Sequence, residues 1–217
     1  AFQDALKYKP SEVTIVSKPS TRTPLYFGVQ VLNSKTLLNR LNFMANERPE
    51  CFSFYSKLKT TDRLFSNLHV TMIHAGSRKG SSTNKKLWNK YTKKIFRTDL
   101  ETICEKHKPK NGACYNLPSG AYADIRLEKL CSNNDLSCIK VEVEKLYWQN
   151  GKTINLSMAN AFPHITLGTR SNDIKPFKSN NLLESVYEFG KTDGIQTFDF
   201  EKSEENIIRQ LPITAYY

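Results

Sequence analysis

Apolar and polar residues alternate along several short stretches of the chain, which is the pattern of β-strands that face a core on one side. Residues 123–130 and 138–148 alternate in this way on either side of a turn-like segment, so they predict a hairpin with Cys131 and Cys138 opposite each other. Further strands are predicted at 13–16, 25–31, 68–75, 164–169, 195–201 and 211–217.

A different spacing, with apolar residues three and four positions apart, predicts helices in three places. Residues 34–45 carry leucines at helical spacing, and Ser34 is a suitable N-cap. A second helix is predicted from about Asn84, after a loop rich in Gly, Ser and Asn, and a third at 179–189. Residues 46–66, which contain Pro49, are expected to be irregular.

Prolines, serines and lysines are concentrated near the beginning of the chain, which is typical of an extended tether. We therefore expect residues 1–24 to be a linker from an upstream domain, and residues 25–217 to form one folded domain. A chain of 217 residues with 39% hydrophobic residues is large enough to bury a core.

The net charge of +11 favours polyanionic partners such as RNA. No apolar run reaches the roughly 20 residues of a membrane helix, so no membrane partner is expected. Five cysteines lack the spacing of a zinc site or a disulfide framework, which favours free thiols and an intracellular location, in the cytoplasm, the nucleus or both.

Two segments place a histidine and a threonine two residues apart in a predicted strand. The first His-x-Thr motif is His69-Val70-Thr71 and the second is His164-Ile165-Thr166. Side chains alternate between the faces of a strand, so the histidine and threonine of each motif point the same way. His74, five residues after His69, is expected on the opposite face and in a structural role.

Two imidazoles that face one cavity suit a displacement at phosphorus. A neutral imidazole takes a proton from water, and an imidazolium donates one to the departing oxygen. Threonine hydroxyls can bind the non-bridging oxygens, where negative charge grows. The alternative is that both motifs are ordinary strand residues, bonded to nearby backbone. No Asp, Glu or Cys cluster at ligand spacing accompanies either motif, so we expect no metal site.

The paired motifs resemble the signature of the two-histidine (2H) phosphoesterases. Residues 163–169, Pro-His-Ile-Thr-Leu-Gly-Thr, together with the C-terminal strands, resemble the cyclic phosphodiesterase domain of fungal tRNA ligases. This resemblance covers about residues 25–217 and implies an α+β, bilobal fold, in which two antiparallel sheets flank a central groove and the helices lie outside.

The resemblance also implies an activity: opening RNA 2′,3′-cyclic phosphate ends to a 2′-phosphate and a 3′-hydroxyl during tRNA splicing, without a metal or another cofactor. His69 and His164 would be the acid–base pair, with His164 favoured as the base and His69 as the acid. Thr71 and Thr166 would hold the phosphate. The implied partners are tRNA exon halves with cyclic phosphate ends, and covalently linked kinase and ligase domains.

Candidate RNA-binding residues come from charge and aromatic patterns. The side chains of Lys86, Lys90, Lys93 and Arg97 share one face of the predicted second helix, while Leu87, Trp88, Tyr91 and Ile95 can pack inward. Phe162 shares the strand face of His164 and could stack on a base. Two other functions remain open: a catalytically silent, basic RNA-binding module, and a 3′-end RNA exonuclease of the same fold.

Overall fold

Antiparallel strands form most of the part of the chain that the structure describes. The computed structural model describes residues 15–19, 24–96, 113–115 and 117–216. The strands are β1 (Ile15–Pro19), β2 (Tyr26–Gln30), β3 (His69–His74), β4 (Ala113–Tyr115), β5 (Leu117–Ser132), β6 (Leu136–Trp148), β7 (His164–Thr169), β8 (Gln196–Asp199) and β9 (Ile207–Tyr216). The α-helices are α1 (Ser34–Glu47), α2 (Pro49–Thr60), α3 (Ser82–Lys90) and α4 (Lys178–Tyr187). None of these helices is long and apolar enough to cross a membrane.

Seven strands are hydrogen-bonded in one continuous order, β6-β7-β3-β2-β9-β5-β8. Strands β5 and β6 also pair with each other, which closes six of the seven into a ring with β8 beside β5. All of these pairs are antiparallel. The prediction of a mixed fold of antiparallel strands and a few helices is therefore confirmed. The two sheets that we expected are joined here into one order.

The long β5–β6 hairpin matches its prediction and extends it at both ends. Cys131 lies opposite Cys138, and both are free, fully buried thiols. Burial raises the pKa of Cys131 to about 12 and also raises that of Cys138, so both thiols stay protonated at neutral pH. A protonated, buried thiol is a poor nucleophile.

Helix α1 forms because its leucines repeat at helical spacing, and it buries Leu37, Leu41 and Ala45 as a stripe against the main core. The prediction that Ser34 is the N-cap is wrong. Asn33 occupies that position with a left-handed backbone, and Ser34 is the first helical residue. The Ser34 hydroxyl instead donates to the Val31 carbonyl and accepts from the Leu68 amide, which ties α1 to the start of β3.

Helix α2 lies inside the stretch that we expected to be irregular, and that prediction is wrong. Pro49 does not interrupt it, because proline at the first helical position needs no amide donor. Three aromatic side chains with modest helix propensity are all buried here: Phe52, Phe54 and Tyr55. Burial of this aromatic face stabilises the helix where local propensity does not.

The short strand β1 pairs with β4 as a separate two-stranded sheet. It lies within residues 1–24, which we expected to be a linker. The rest of that segment, apart from Pro24, lies outside the described residues. The boundary between linker and domain stays a prediction.

Candidate active site

Strands β3 and β7 bring the two His-x-Thr motifs together. Val70 lies opposite Ile165 in this antiparallel pair, and both side chains are completely buried. The residue before one therefore lies across from the residue after the other. This register places each histidine next to the threonine of the other motif, with all four side chains on the face away from the core.

A cavity of about 1010 Å³ lies over this face. Its lining includes the two histidines and the two threonines predicted from the sequence: His69, Thr71, His164 and Thr166. Residues 95 positions apart in the chain thus share one space large enough for a nucleotide.

Glycines on both sides of this strand pair allow the backbone to pack closely. A Cβ atom at Gly28 would lie 2.9 Å from the Val70 carbonyl oxygen and 3.3 Å from the ring of Tyr216. At Gly168, a Cβ atom would lie 2.4 Å from the Arg63 carbonyl oxygen. Any larger residue at either position would push β2 or β7 out of place, and the motifs with them.

Two tyrosine rings pack against the imidazole of His69. The rings of Tyr26 and His69 stack with 5.0 Å between centroids, and Tyr216 lies 5.3 Å from His69 and 4.4 Å from Tyr26. Burial is the main reason that the pKa of His69 falls to about 4. A hydrogen bond to the Asn67 carbonyl opposes this shift of the pKa, and positive charge on His164 adds to it.

His164 is only 7% exposed, and its Nδ1 lies 2.7 Å from the carbonyl oxygen of Phe162. A carbonyl only accepts, so Nδ1 carries the proton and Nε2 of the neutral ring is left with a lone pair. Burial lowers the pKa of His164, and the bond to Phe162 opposes this effect. Each histidine is thus bonded to the carbonyl of the residue two positions before it.

The hydroxyl of Thr166 is oriented by the start of α4. Its oxygen lies 2.9 Å from the hydroxyl oxygen of Ser179, a completely buried residue, and 3.5 Å from the Pro176 carbonyl oxygen. Sequence reasoning missed Ser179, because only the packing of α4 against β7 reveals the contact. Further along this turn, Phe177 and Asn180 also line the cavity.

His74 also lines the cavity, so the prediction that it faces away from His69 is wrong. Between β2 and β3 the pairing shifts by one residue, because Gly28 pairs with Thr71 while Phe27 pairs with Ile73. Met72 is the extra residue of this bulge, and it and Ile73 are both buried. The bulge reverses the alternation and returns His74 to the face of His69.

Phe162 lies outside the cavity lining. Its ring stacks with Tyr187 at 6.0 Å and packs on the smaller core cluster beneath α4. A backbone bend before β7 thus separates it from the face of His164, and its position does not favour the base stacking that we expected. Phe177 is the exposed aromatic ring of the lining, at 66% exposure.

The basic face of α3 lies on the protein surface, outside the cavity lining. Lys86, Lys90 and Lys93 are exposed and do not line it, and Arg97 lies outside the described residues. The four residues expected to pack inward are buried, which confirms that part of the prediction: Leu87, Trp88, Tyr91 and Ile95. From Tyr91 the helix continues as a π turn, which has more residues per turn. Lys94 therefore aligns with Lys90 better than Lys93 does.

Within the described ranges, no group of three or more His, Cys, Asp or Glu residues could hold a metal ion. The polar side chains that line the cavity carry imidazole, hydroxyl and amide groups.

Comparison with solved structures gives the crystal structure of a fungal RNA kinase as a similar fold. The TM-score is 0.64 at 22% identity, and the match covers 99% of this chain and 51% of that one. At this identity the likeness concerns the fold alone.

Two curated relatives share sequence with the chain. It is 27% identical over 234 residues to the tRNA ligase of Candida albicans, a match that covers 99% of this chain and 25% of that protein. It is 30% identical over 181 residues to tRNA ligase 1 of Schizosaccharomyces pombe, which covers 80% of this chain and 19% of that protein. The chain thus spans about a quarter or less of the length of these relatives.

The family model described as the fungal tRNA ligase phosphodiesterase domain matches residues 1–207, which include both His-x-Thr motifs. The chain therefore belongs to the family of fungal tRNA ligase phosphodiesterase domains.

Proposed function

We propose that this domain is an RNA end-healing enzyme of tRNA splicing, a 2′,3′-cyclic phosphodiesterase that leaves a 3′-hydroxyl and a 2′-phosphate. The observation that carries the proposal is the Val70–Ile165 pairing, which brings both His-x-Thr motifs into one cavity. Family membership supports the same conclusion, because the family is one of phosphodiesterase domains.

In the proposed reaction, Nε2 of His164 takes a proton from water as the water oxygen bonds to phosphorus. The bond between phosphorus and O3′ breaks, and the His69 imidazolium gives its proton to O3′. The bond from Nδ1 to the Phe162 carbonyl leaves Nε2 of His164 able to accept a proton. His69 makes the matching bond to Asn67, so the assignment of base and acid rests on the family resemblance. Because the pKa of His69 is low in the free domain, we propose that His69 takes up a proton from solvent when the substrate binds, since the negative charge of the phosphate stabilises the imidazolium.

The threonine hydroxyls would bind the two non-bridging oxygens of the cyclic phosphate. Ser179 can donate to Thr166 Oγ1, and the Thr166 proton is directed to the Pro176 carbonyl through a long bond of 3.5 Å, which it would exchange for a phosphoryl oxygen of the substrate. In a cavity shielded from water, such a bond strengthens as charge accumulates on the phosphoryl oxygens. Every step in this scheme uses a group of the chain, so we propose that the enzyme needs no metal.

We place the terminal base near the start of α4. Phe177 offers an exposed ring on the cavity wall, next to the turn that orients Thr166. Base stacking on an aromatic ring tolerates any base, as an end-healing enzyme requires.

We further propose a two-lobed arrangement, in which β3 and β7 belong to different lobes and the cavity lies between them. The only residues in register between these strands are Val70 and Ile165, whereas each strand pairs more extensively with its other neighbour. As part of a longer, intracellular tRNA ligase, the domain would act on tRNA exon halves beside linked kinase and ligase domains.

The decisive experiment is to incubate the domain with an oligoribonucleotide that ends in a 2′,3′-cyclic phosphate, and to separate the products against 2′- and 3′-phosphate standards. We expect the 2′-phosphate product, with and without excess EDTA. His69→Ala and His164→Ala should each lower kcat by roughly 10²–10⁴-fold while melting like the wild type. A 3′-phosphate product would contradict the proposed regiochemistry. Tight binding without turnover would contradict the enzymatic proposal and favour the silent binding module. Stepwise shortening of the RNA would favour the exonuclease.

A further inference from the structure

His74 is fixed in one tautomer beside the reacting groups. Its Nδ1 lies 3.0 Å from the Gly76 backbone nitrogen, which can only donate, so Nδ1 is the acceptor. The proton of the neutral ring is then on Nε2. Because the side chain is exposed and lines the cavity, this N–H is a donor that a ligand can reach.

The place of His74 relative to the histidine pair follows from a shared neighbour. The ring of Tyr26 is stacked with His69 at 5.0 Å and with His74 at 6.3 Å between centroids. His74 is therefore close to the reacting centre without being part of it. The group that binds to Nε2 would therefore belong to the same RNA strand as the cyclic phosphate but would not be the cyclic phosphate itself.

The surroundings of His74 are polar and basic. Ser77 lines the cavity, and Arg78 and Lys79 follow it on the exposed turn. The Arg78 guanidinium is held in place by the Ala75 carbonyl and lies 4.7 Å from the Trp88 ring centroid. Among the described residues, no ion pair joins Arg78 or Lys79 to a carboxylate. Phe177, next to the turn that contacts Thr166, suits a base, whereas the donors of His74 and Ser77 and the positive charges of Arg78 and Lys79 suit a phosphate.

We propose that His74 binds the phosphodiester that joins the terminal nucleotide to the one before it, through Nε2–H, with Ser77 as a second donor. This subsite rests on the proposed function for its substrate, and it sets the direction of the RNA: the chain leaves the cavity past His74 toward Arg78 and Lys79. His74 is a binding residue here, separate from the acid–base pair.

A matched pair of substitutions separates the donor from the structural bond to Gly76. His74→Asn puts an acceptor where Nδ1 is and removes Nε2, whereas His74→Gln puts an amide donor where Nε2 is and removes the acceptor. The substrates are a cyclic mononucleotide, a dinucleotide with a cyclic phosphate end, and the same dinucleotide with an uncharged methylphosphonate link.

The measured quantity is the ratio of kcat/KM on the dinucleotide to kcat/KM on the mononucleotide. We expect His74→Asn to lower this ratio about tenfold, as loss of a hydrogen bond to a charged group would do, and His74→Gln to keep most of it. In the wild type, replacing the phosphodiester link by a methylphosphonate should lower this ratio by a similar factor. In His74→Asn, the same replacement should lower the ratio much less. Equal reductions on the methylphosphonate in both proteins, or a wild-type ratio in His74→Asn, would overturn the proposal.

Binding measured without turnover keeps this inference distinct from the proposed function. Fluorescence anisotropy with a labelled dinucleotide that carries a 2′-phosphate should show the same weakening for His74→Asn and for the methylphosphonate link. If the cyclic phosphate is not hydrolysed but this coupling is found, the subsite stands and the catalytic proposal fails. If hydrolysis occurs and the coupling is absent, the subsite fails alone.

Discussion

The side-chain oxygens of Thr166 and Ser179 lie 2.9 Å apart, and Ser179 has no access to solvent. A residue outside both His-x-Thr motifs therefore sets the direction of a hydroxyl inside one of them. Helix α4 thus orients a hydroxyl to which we assign phosphate binding, although the sequence of the helix does not suggest this.

We expect Thr166→Ala to lower kcat/KM on a cyclic phosphate end by roughly 10- to 100-fold, because a hydrogen bond to a charged oxygen is removed. Ser179→Ala should cost less, about three- to tenfold, because it only misorients Thr166. The double variant should resemble Thr166→Ala, since both changes remove the same interaction. Ser185→Ala is the control, because Ser185 lies on the same helix, donates to the Asn181 carbonyl and does not line the cavity. Additive effects in the double variant would show that Ser179 does not act through Thr166.

The roles of the two histidines can be separated with a 3′-thio substrate. Sulfur leaves without a proton far more readily than oxygen, so the acid becomes dispensable and the base does not. If His69 is the acid, His69→Ala should recover most of the wild-type rate on the 3′-thio substrate, while His164→Ala stays inactive. Recovery of His164→Ala alone would exchange the assignments. The measurement is the single-turnover rate of each variant on matched oxygen and sulfur substrates.

Folding stability should depend on pH through His69. Its pKa is about 4 in the folded protein and about 6.5 in an unfolded chain, so the unfolded state binds more protons between these values. Stability should therefore fall as pH drops from 6.5 toward 4. Between pH 7 and pH 4.5, we expect the free energy of unfolding to fall less in His69→Asn than in the wild type, with a difference on the order of 1–2 kcal/mol. Urea titrations of both proteins at pH 7 and 4.5 measure this. Identical pH dependence would mean that His69 is not held neutral by its surroundings.

Base stacking should depend on Phe177. We expect Phe177→Ala to raise KM by roughly 5- to 100-fold for cyclic nucleotides, in line with the usual contribution of an aromatic platform. Phe43→Ala is the control, because Phe43 is 62% exposed on α1 and does not line the cavity. Steady-state kinetics with purine and pyrimidine substrates would show the effect. If Phe162→Ala raised KM in a stably folded protein and Phe177→Ala did not, base stacking would belong to Phe162 instead.

The exposed lysines of α3 should contribute to binding of longer RNA. Replacement of Lys86 and Lys90 by glutamate should weaken oligonucleotide binding and flatten its salt dependence, by about 0.7 in log–log slope for each phosphate that the variant no longer binds. Lys35→Glu with Lys59→Glu, which changes the net charge equally elsewhere, is the control. If both double variants changed affinity and salt dependence equally, the lysines of α3 would contribute only through the net charge of the domain.

Strand periodicity was enough to predict that the histidine and threonine of each motif share a face, because side chains two residues apart point the same way along a strand. The same rule failed at His74, where the bulge at Met72 adds one residue and reverses the alternation. Bulges leave no clear trace in a single sequence. Helix α2 was missed for another reason, since its stabilisation comes from tertiary burial of Phe52 and Tyr55 rather than from local propensity.

Side chains that reach the cavity from distant elements were also beyond sequence reasoning. Ser179, Phe177 and Tyr26 come to the site from elements far from either motif, and their types have no chemistry that would single them out. By contrast, the inward face of α3 could be predicted, because burial of Leu87 and Tyr91 follows from helical spacing alone.

The closed order of the strands affects how the domain behaves among neighbours. A strand whose two edges are both paired offers no backbone groups for another chain to extend, and β2 lies paired in this way between β3 and β9. Strand β8, added outside the ring, is only four residues long and carries Asp199, whose carboxylate pairs with Lys129. A short, charged edge discourages the addition of a foreign strand. The edge of the sheet at β8 should therefore resist extension by a strand of another copy of the domain.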